Sequence, residues 1–410
     1  ELLDGPLAFL LREPAAIDLD IKTAYVQRHT QCPQHAPGFT AFLELGESPY
    51  VVRRQQAWQD FYELAAPLGP LSTEELWPLL RFEGEVAQGP GVEREFFDLV
   101  AQQLQRADPR LPESPLLVPA TTDQACRYVV PRGLSVGGRL ECDGAAREDE
   151  VRAQLRCLGW LLGYSVLHAR PLGVNLAPHV LSLTLLGLGA APSAEDLEAA
   201  DPQHHRSREA LRGMAAGVEE LCLNFTADHQ RLDGTMREVE LIPGGAAEAV
   251  GPSSLARYLE VDLDWRLRGR HMLQVAQLKR GLDDVLPSAM LNLFSAQELG
   301  LLWSGVPDLQ PSAWRAHTQY GGGLSESSRE VEWFWEAVEH MSKDERALLL
   351  KFTTGASRLP PGGFAALGPS PFTVSKHGGS SDASLPTAAT CMNLLRLPPY
   401  RSRESLEEKL

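Results

Sequence analysis

The chain has 410 residues, 43% of them hydrophobic, and carries 54 acidic against 38 basic side chains for a net charge of −16. That length allows two or three domains with ordinary cores, and the acidic balance argues against nucleic acid as a partner. No run of about 18 apolar residues occurs, so no membrane span is expected.

The opening stretch, ELLDGPLAFLLREPAAID, carries acids and no basic n-region, so it does not read as a signal peptide. Without an initiator methionine it reads as a piece of a longer protein. The next segment, RHTQCPQHAPG, holds His29, Cys32 and His35 at a spacing that suits solvated loop residues better than metal ligands. Six cysteines (Cys32, Cys126, Cys142, Cys157, Cys222, Cys391) are scattered, and none forms a C-x-x-C pair. We expect no metal, no cofactor and no disulfide framework, and a reducing cytoplasmic or nuclear compartment.

From residue 48 the pattern sharpens. SPYVVRRQQAWQDFYELA predicts a strand and then a helix, and Ser72 with Glu75 forms a capping-box signature. RFEGEVAQGPGVEREFFDLVAQQL follows, with Gly84-Glu85 before a glycine turn and Arg94-Glu95-Phe96-Phe97 after it. Arg94 and Glu95 read as charges that order this turn. RYVVPRG suggests a short strand, and VRAQLRCLGWLLGYSVLHARPLG repeats its apolar residues at helical spacing. His168 sits at the end of that helix.

Further on, DLEAADP precedes a helix, and the polar pair His204-His205 reads as part of a loop. LCLNF then alternates Leu221, Leu223 and Phe225 as a strand would. Residues 253–285 predict one long helical region, with Leu255, Leu259, Leu263, Leu267, Met272, Val275 and Leu278 as its apolar side. Ser295 and Glu298 form another capping box, ahead of Gly305.

The last hundred residues hold almost balanced charge, 11 basic and 12 acidic over 308–410. Val331, Phe334, Val338 and Met341 share a helix face, and Ser342 with Glu345 caps the helix after it. The segment LPTAATCMNLLRLPPY closes this region. Leu385-Pro386-Thr387 is an extended entry, and Met392, Leu394, Leu395 and Leu397 predict a buried strand stopped by Pro398-Pro399. Cys391 therefore sits on a loop before an anchored strand. Two readings are open for it: a small buried hydrophobe, or a thiol nucleophile on a mobile but aimed loop.

The order L-P-T-x-x-T-C, N-x-L-x-L-P-x-Y, together with T-Q-Y-x-G-G, W-F-W and F-T-T-G-x-S-R-x-P before it, resembles the carboxy-terminal lobe of HECT ubiquitin ligases. The Gly84-Glu85 turn and the Arg94-Glu95-Phe96 helix resemble the amino-terminal lobe of that family, with Gln88-Gly89-Pro90-Gly91 replacing its usual aspartate and paired glycines. The resemblance implies an α+β fold, a bilobal HECT domain. A mainly helical N-lobe (48–303) follows an extension (1–47), and a hinge at Ser304, Gly305, Val306 and Pro307 joins it to an α/β C-lobe (308–410). A small subdomain inserted at about 187–244 would dock the conjugating enzyme, and by position Leu211, Leu221, Leu223 and Phe225 are its contact candidates; the alternative for each is the subdomain's own core.

The resemblance further implies that Cys391 takes ubiquitin as a thioester and hands it to a substrate lysine, with Thr390 supporting the thioester loop. The implied partners are ubiquitin, a conjugating enzyme and a protein substrate. Many relatives have a histidine two places before the cysteine, where this chain has Ala389; no histidine lies within ten residues of Cys391, and the nearest is His377. The family usually continues into a tail bearing an aromatic, whereas this sequence stops at Leu410, which is expected to spare thioester formation and impair transfer. Against the ligase stand a thiol hydrolase of the deubiquitinase type, which needs a histidine on Cys391, and a non-catalytic docking module.

Overall fold

The computed structural model describes residues 14–30, 50–70, 80–105, 116–121, 128–131, 135–136, 139–140, 145–214, 217–230, 235–368, 370–379 and 381–410. Cys32, His35, Cys126, Cys142 and the Ser72–Glu75 cap lie outside them. The fold is α+β, with helices predominating and five small sheets among the described residues. No described helix is long and apolar enough to cross a membrane.

The chain divides into two compact units. The first combines described residues of Glu1–Ala16, Leu104–Gly163 and Asn175–Gly300; the second combines those of Ile17–Gln103, Tyr164–Val174 and Leu301–Leu410.

The first unit is organised by the Ala145–Leu167 helix, as far as Gly163, and the Met272–Val285 helix. Leu155, Leu158, Leu278 and Leu282 are fully buried there. The two backbones nearly touch. A Cβ at Gly281 would overlap the Arg156 carbonyl oxygen, and one at Gly159 would overlap that of Leu278. Gly281→Ala gains up to ~1 kcal/mol of helix propensity, yet forces the helices apart, and overpacking of this kind costs ~1–3 kcal/mol. We expect a net loss of about 1–2 kcal/mol in urea melts; an unchanged or higher midpoint would contradict this close approach.

The region from 253 to 285 is two helices, Leu255–Leu267 and Met272–Val285, rather than one. A 3-10 turn at Gly269–His271 separates them, so Met272 opens a helix and is exposed instead of joining the apolar side. The described part of the segment 194–250 carries two helices, two 3-10 turns and a strand pair. Ser193 and Asp196 form a reciprocal capping box on its first helix, Ala194–Ala200. His204 and His205 lie in the next helix, Pro202–Gly213, not in a loop, and His204 Nε2 sits 2.9 Å from the buried Asp262 carboxylate.

The expected Leu221–Phe225 strand is also displaced. Val218–Leu221 is a 3-10 turn, Cys222 takes left-handed angles, and the strand runs over Thr226–Gln230, paired antiparallel with Met236–Glu240.

The second unit centres on an aromatic core. Trp314 stacks on Phe364 at 5.0 Å and meets Phe372 and Trp335 edge-on. Val331, Phe334 and Val338 of the Arg329–His340 helix are fully buried, and Met341 packs against the same core from beyond the helix end. The capping boxes at Ser295–Glu298 and Ser342–Glu345 form as the sequence predicts.

A four-stranded sheet lies beside this core in the order Thr387–Ala389, Leu394–Leu397, Thr373–Lys376, Gln319–Gly321. The first pair is antiparallel and the other two are parallel. Leu395 and Leu397 point into the core. This pins the register, because a one-residue slip would turn both outwards.

Residues 304–307 also belong to this unit. Gly305 has φ +67°, a left-handed conformation that favours glycine. Val306 exchanges both backbone hydrogen bonds with Leu359, at 2.8 and 3.1 Å.

Candidate active site

The antiparallel Thr387–Ala389 and Leu394–Leu397 strands are joined by one 3-10 turn, Thr390–Met392, and Cys391 is its middle residue. Its thiol is exposed and unbridged, with Sγ 3.9 Å from the Gln88 carbonyl. Met392 is 58% exposed, so it belongs to this turn and not to the buried strand. Placing it in the strand put the strand start two residues early.

Asn393 locks the turn. It takes left-handed angles, φ 49° and ψ 40°, which asparagine tolerates better than most residues. Its N–H donates to the Thr390 carbonyl at 3.2 Å and its carbonyl accepts from the Thr373 N–H at 2.9 Å. Its side-chain amide donates to the Ser370 carbonyl at 2.7 Å.

Arg94, from the Pro90–Gln105 helix of the same unit, completes the arrangement. Its Nη2 donates to the Thr390 carbonyl at 2.6 Å and to Asn393 Oδ1 at 3.0 Å. Its Nε donates to the Thr354 carbonyl, at the end of the Lys343–Thr354 helix, at 2.6 Å. One buried guanidinium thus holds the residue before Cys391, the second residue after it, and a helix terminus. Burial and the neighbouring Arg170 lower Arg94 to about 10, so it stays charged at neutral pH.

Below this helix, Lys351 Nζ meets Asp98 at 2.5 Å and Ser357 donates to the same carboxylate. Arg54, stacked 4.1 Å over Phe82, bridges Glu85 and Glu95 and holds Glu85 below the usual carboxylate range. Glu95 therefore orders the turn, as expected. Arg94 does something the sequence reading missed. The available signal was Arg94 opening an apolar helix and Asn393 two places past the cysteine, but their contact spans 299 residues.

Histidine chemistry on Cys391 finds no support. His377 follows the Thr373–Lys376 strand at the Leu397 end of the sheet, where its N–H donates to the Leu397 carbonyl. Cys391 lies beyond the Leu394 end, so a four-residue strand of about 10 Å separates them. His168 lies within 3.8 Å of the buried Glu93, and burial with Arg170 holds it down at about 4, uncharged at neutral pH. Among the described residues no group of three or more His, Cys, Asp or Glu has the geometry to hold a metal.

The other sequence candidates fall apart into surface and core. Leu221 is 43% exposed, while Leu211 and Leu223 are half-buried against the subdomain core of Val218, Val250, Leu255 and Leu259. Phe225 is 0% exposed and sits edge-on to Tyr258. This corrects its reading as a contact: no side-chain surface is left for a partner. Thr390 presents its hydroxyl to Gly91, and its carbonyl to Arg94.

The HECT-domain (ubiquitin-transferase) family model matches residues 112–410. The chain is 29% identical to the E3 ubiquitin-protein ligase HACE1 of Danio rerio over 341 residues, 81% of this chain and 34% of that protein. It is 32% identical to the E3 ubiquitin-protein ligase NEDD4 of Homo sapiens over 342 residues, 82% of this chain and 24% of that protein. With NEDD4 of Mus musculus it shares 31% over 368 residues, 88% of this chain and 38% of that protein. The chain thus spans less than two fifths of the length of these relatives. These matches favour a ubiquitin transferase over a thiol hydrolase or an inert docking module. The chain belongs to the HECT-domain (ubiquitin-transferase) family.

Proposed function

We propose that this domain works as a ubiquitin-protein ligase through Cys391. The Cys391 thiolate attacks the thioester carbonyl of a charged conjugating enzyme, whose own cysteine leaves as thiolate. A substrate lysine, having lost its proton, then attacks the new thioester, and Cys391 leaves. The observation that carries this reading is an exposed thiol on a turn whose two flanks are both fixed. Thioester exchange trades one sulfur for another, so positioning supplies much of the acceleration.

In this reading residues 48–303 and 308–410 act as two lobes about 304–307, and Cys391 faces the conjugating enzyme and then the substrate in turn. The inserted subdomain at about 187–244 docks the conjugating enzyme, with Leu221 the best-exposed of the candidate leucines and Leu211 and Leu223 beneath it. Ubiquitin, a conjugating enzyme and a protein substrate are the partners, and neither nucleic acid nor a metal takes part. A free thiol also requires a reducing compartment, cytoplasmic or nuclear.

The test mixes the protein with ubiquitin-charged conjugating enzyme and resolves the products on a non-reducing gel. The native protein should gain a ubiquitin adduct that thiol reductant removes. Cys391→Ala should gain none, and Cys391→Ser should gain a reductant-resistant oxyester. A reducible adduct that persists in Cys391→Ala would overturn the assignment.

A further inference from the structure

We infer that Arg94 is a positioning residue for the discharge of Cys391, and that Gly91 is the gap that lets it act; this inference rests on the thioester reading of Cys391. The argument starts with where the guanidinium sits. It donates to the carbonyl of the peptide bond that joins Thr390 to Cys391, and to the side chain of Asn393. The short Cys391 turn is therefore gripped on both sides by one group. The third bond, to Thr354, ties the same group to the end of the Lys343–Thr354 helix.

A guanidinium presents donors in a rigid planar fork, and three acceptors from three segments suit that fork; a lysine ammonium is a compact point charge on a flexible stem. Arg94 is only 7% exposed, and its cost of burial is offset by those three acceptors and by the Glu93 carboxylate nearby.

Gly91 makes the approach feasible. A Cβ there would overlap the Thr390 hydroxyl oxygen and lie 2.9 Å from Thr390 Cβ and 3.2 Å from the Cys391 nitrogen. Gly91 is inside the Pro90–Gln105 helix and has no left-handed φ. Alanine at 91 is therefore acceptable to the helix itself and objectionable only to the cysteine turn. A wedge at 91 and a deletion at 94 attack the same contact by unrelated means.

The experiment separates loading from discharge. Protein preloaded on Cys391 is chased with free lysine or a substrate protein, and loss of the thioester is followed in a single turnover. Loading from charged conjugating enzyme and thermal melting are measured alongside. Arg94→Ala and Gly91→Ala should each slow discharge by about tenfold or more, in line with the ~10²-fold that a misplacement of about 1 Å can cost. Loading should persist in both.

Arg94→Lys should fail to restore discharge, because an ammonium cannot reach three acceptors in the guanidinium's planar fork. Native discharge rates in both alanine variants would overturn the inference. So would a loss of loading and discharge in proportion to a lowered melting temperature, which marks a merely structural arginine. Failure of the underlying thioester reading shows itself separately, as a reducible adduct in Cys391→Ala.

Discussion

Replacing Trp314 with alanine is expected to destabilise the second unit by about 3–5 kcal/mol, the range for deleting a large buried aromatic. Trp314 is 0% exposed and lies among three other aromatic rings. Its ring stacks on Phe364, and Phe372 and Trp335 meet it edge-on at 5.0 and 6.2 Å. Phe372 immediately precedes the Thr373–Lys376 strand, and Trp335 lies on the Arg329–His340 helix, so the cavity would open where helix and sheet meet. Such sites relax poorly, and the loss includes dispersion contacts as well as the area returned to water. Denaturant melts of Trp314→Ala and Trp314→Phe check this. The phenylalanine variant should recover part of the loss, and an alanine variant within 1 kcal/mol of native would show that the cluster is not a closed core.

Lowering the pH from 7.5 to 5 is expected to destabilise the first unit, by about 2 kcal/mol through His179 alone. His179 is buried and pushed down to about 3, with Arg270 adding to the effect of burial. His271, stacked 5.5 Å from it, is held well below its ordinary value by burial, by Arg270, and by His179 and His229. Unfolded, each titrates near 6.5. Between that value and the native one, the unfolded chain binds protons that the native protein refuses. Stability is therefore full above about pH 6.5 and falls as the pH drops towards 4. At pH 5 His179 alone contributes a loss of roughly 2 kcal/mol, and His271 acts in the same direction.

Glu93, raised by burial, works in the opposite sense in the second unit, since its native form holds a proton the unfolded chain releases. Urea midpoints at pH 7.5 and 5 measure the effect. His179→Leu should remove about 2 kcal/mol of the dependence, and an unaltered dependence in that variant would refute the assignment.

Local features were legible in the sequence because their physics is local. The caps at Ser295 and Ser342 each need only a residue three places on, and both formed. The Cys391 segment was legible as an ordered motif, and the extended entry, the turn and the stop at Pro398 all lie within sixteen residues. Errors arose where tertiary context overrode pattern. Met392 has the apolarity of a strand residue, yet Asn393 adopts left-handed angles and delays the strand start to Leu394.

Leu221, Leu223 and Phe225 alternate like a strand, but the last is drawn inwards beneath Tyr258 while Leu221 closes a 3-10 turn. Gly269 and His271 split what periodicity alone joins into one helix. Arg94 was invisible for a different reason. Its acceptors are 260, 296 and 299 residues away, and one carbonyl on a distant turn leaves no mark in local composition.

That separation also bears on how the protein is made. The second unit is assembled from 17–103, 164–174 and 301–410, so its early segments emerge from the ribosome long before their partners exist. At about 5–20 residues per second, the Pro90–Gln105 helix waits roughly 15–60 s for Thr390 and Asn393. Throughout that interval Arg94 lacks the acceptors that later bury it, and Phe96 and Phe97, almost fully buried at the end, lack part of their cover. Residues 104–163 and 175–300, most of the first unit, are complete well before then. Vectorial synthesis therefore finishes the subdomain-bearing unit first and the cysteine-bearing unit last, leaving the nascent amino-terminal helices as the segment most in need of a chaperone.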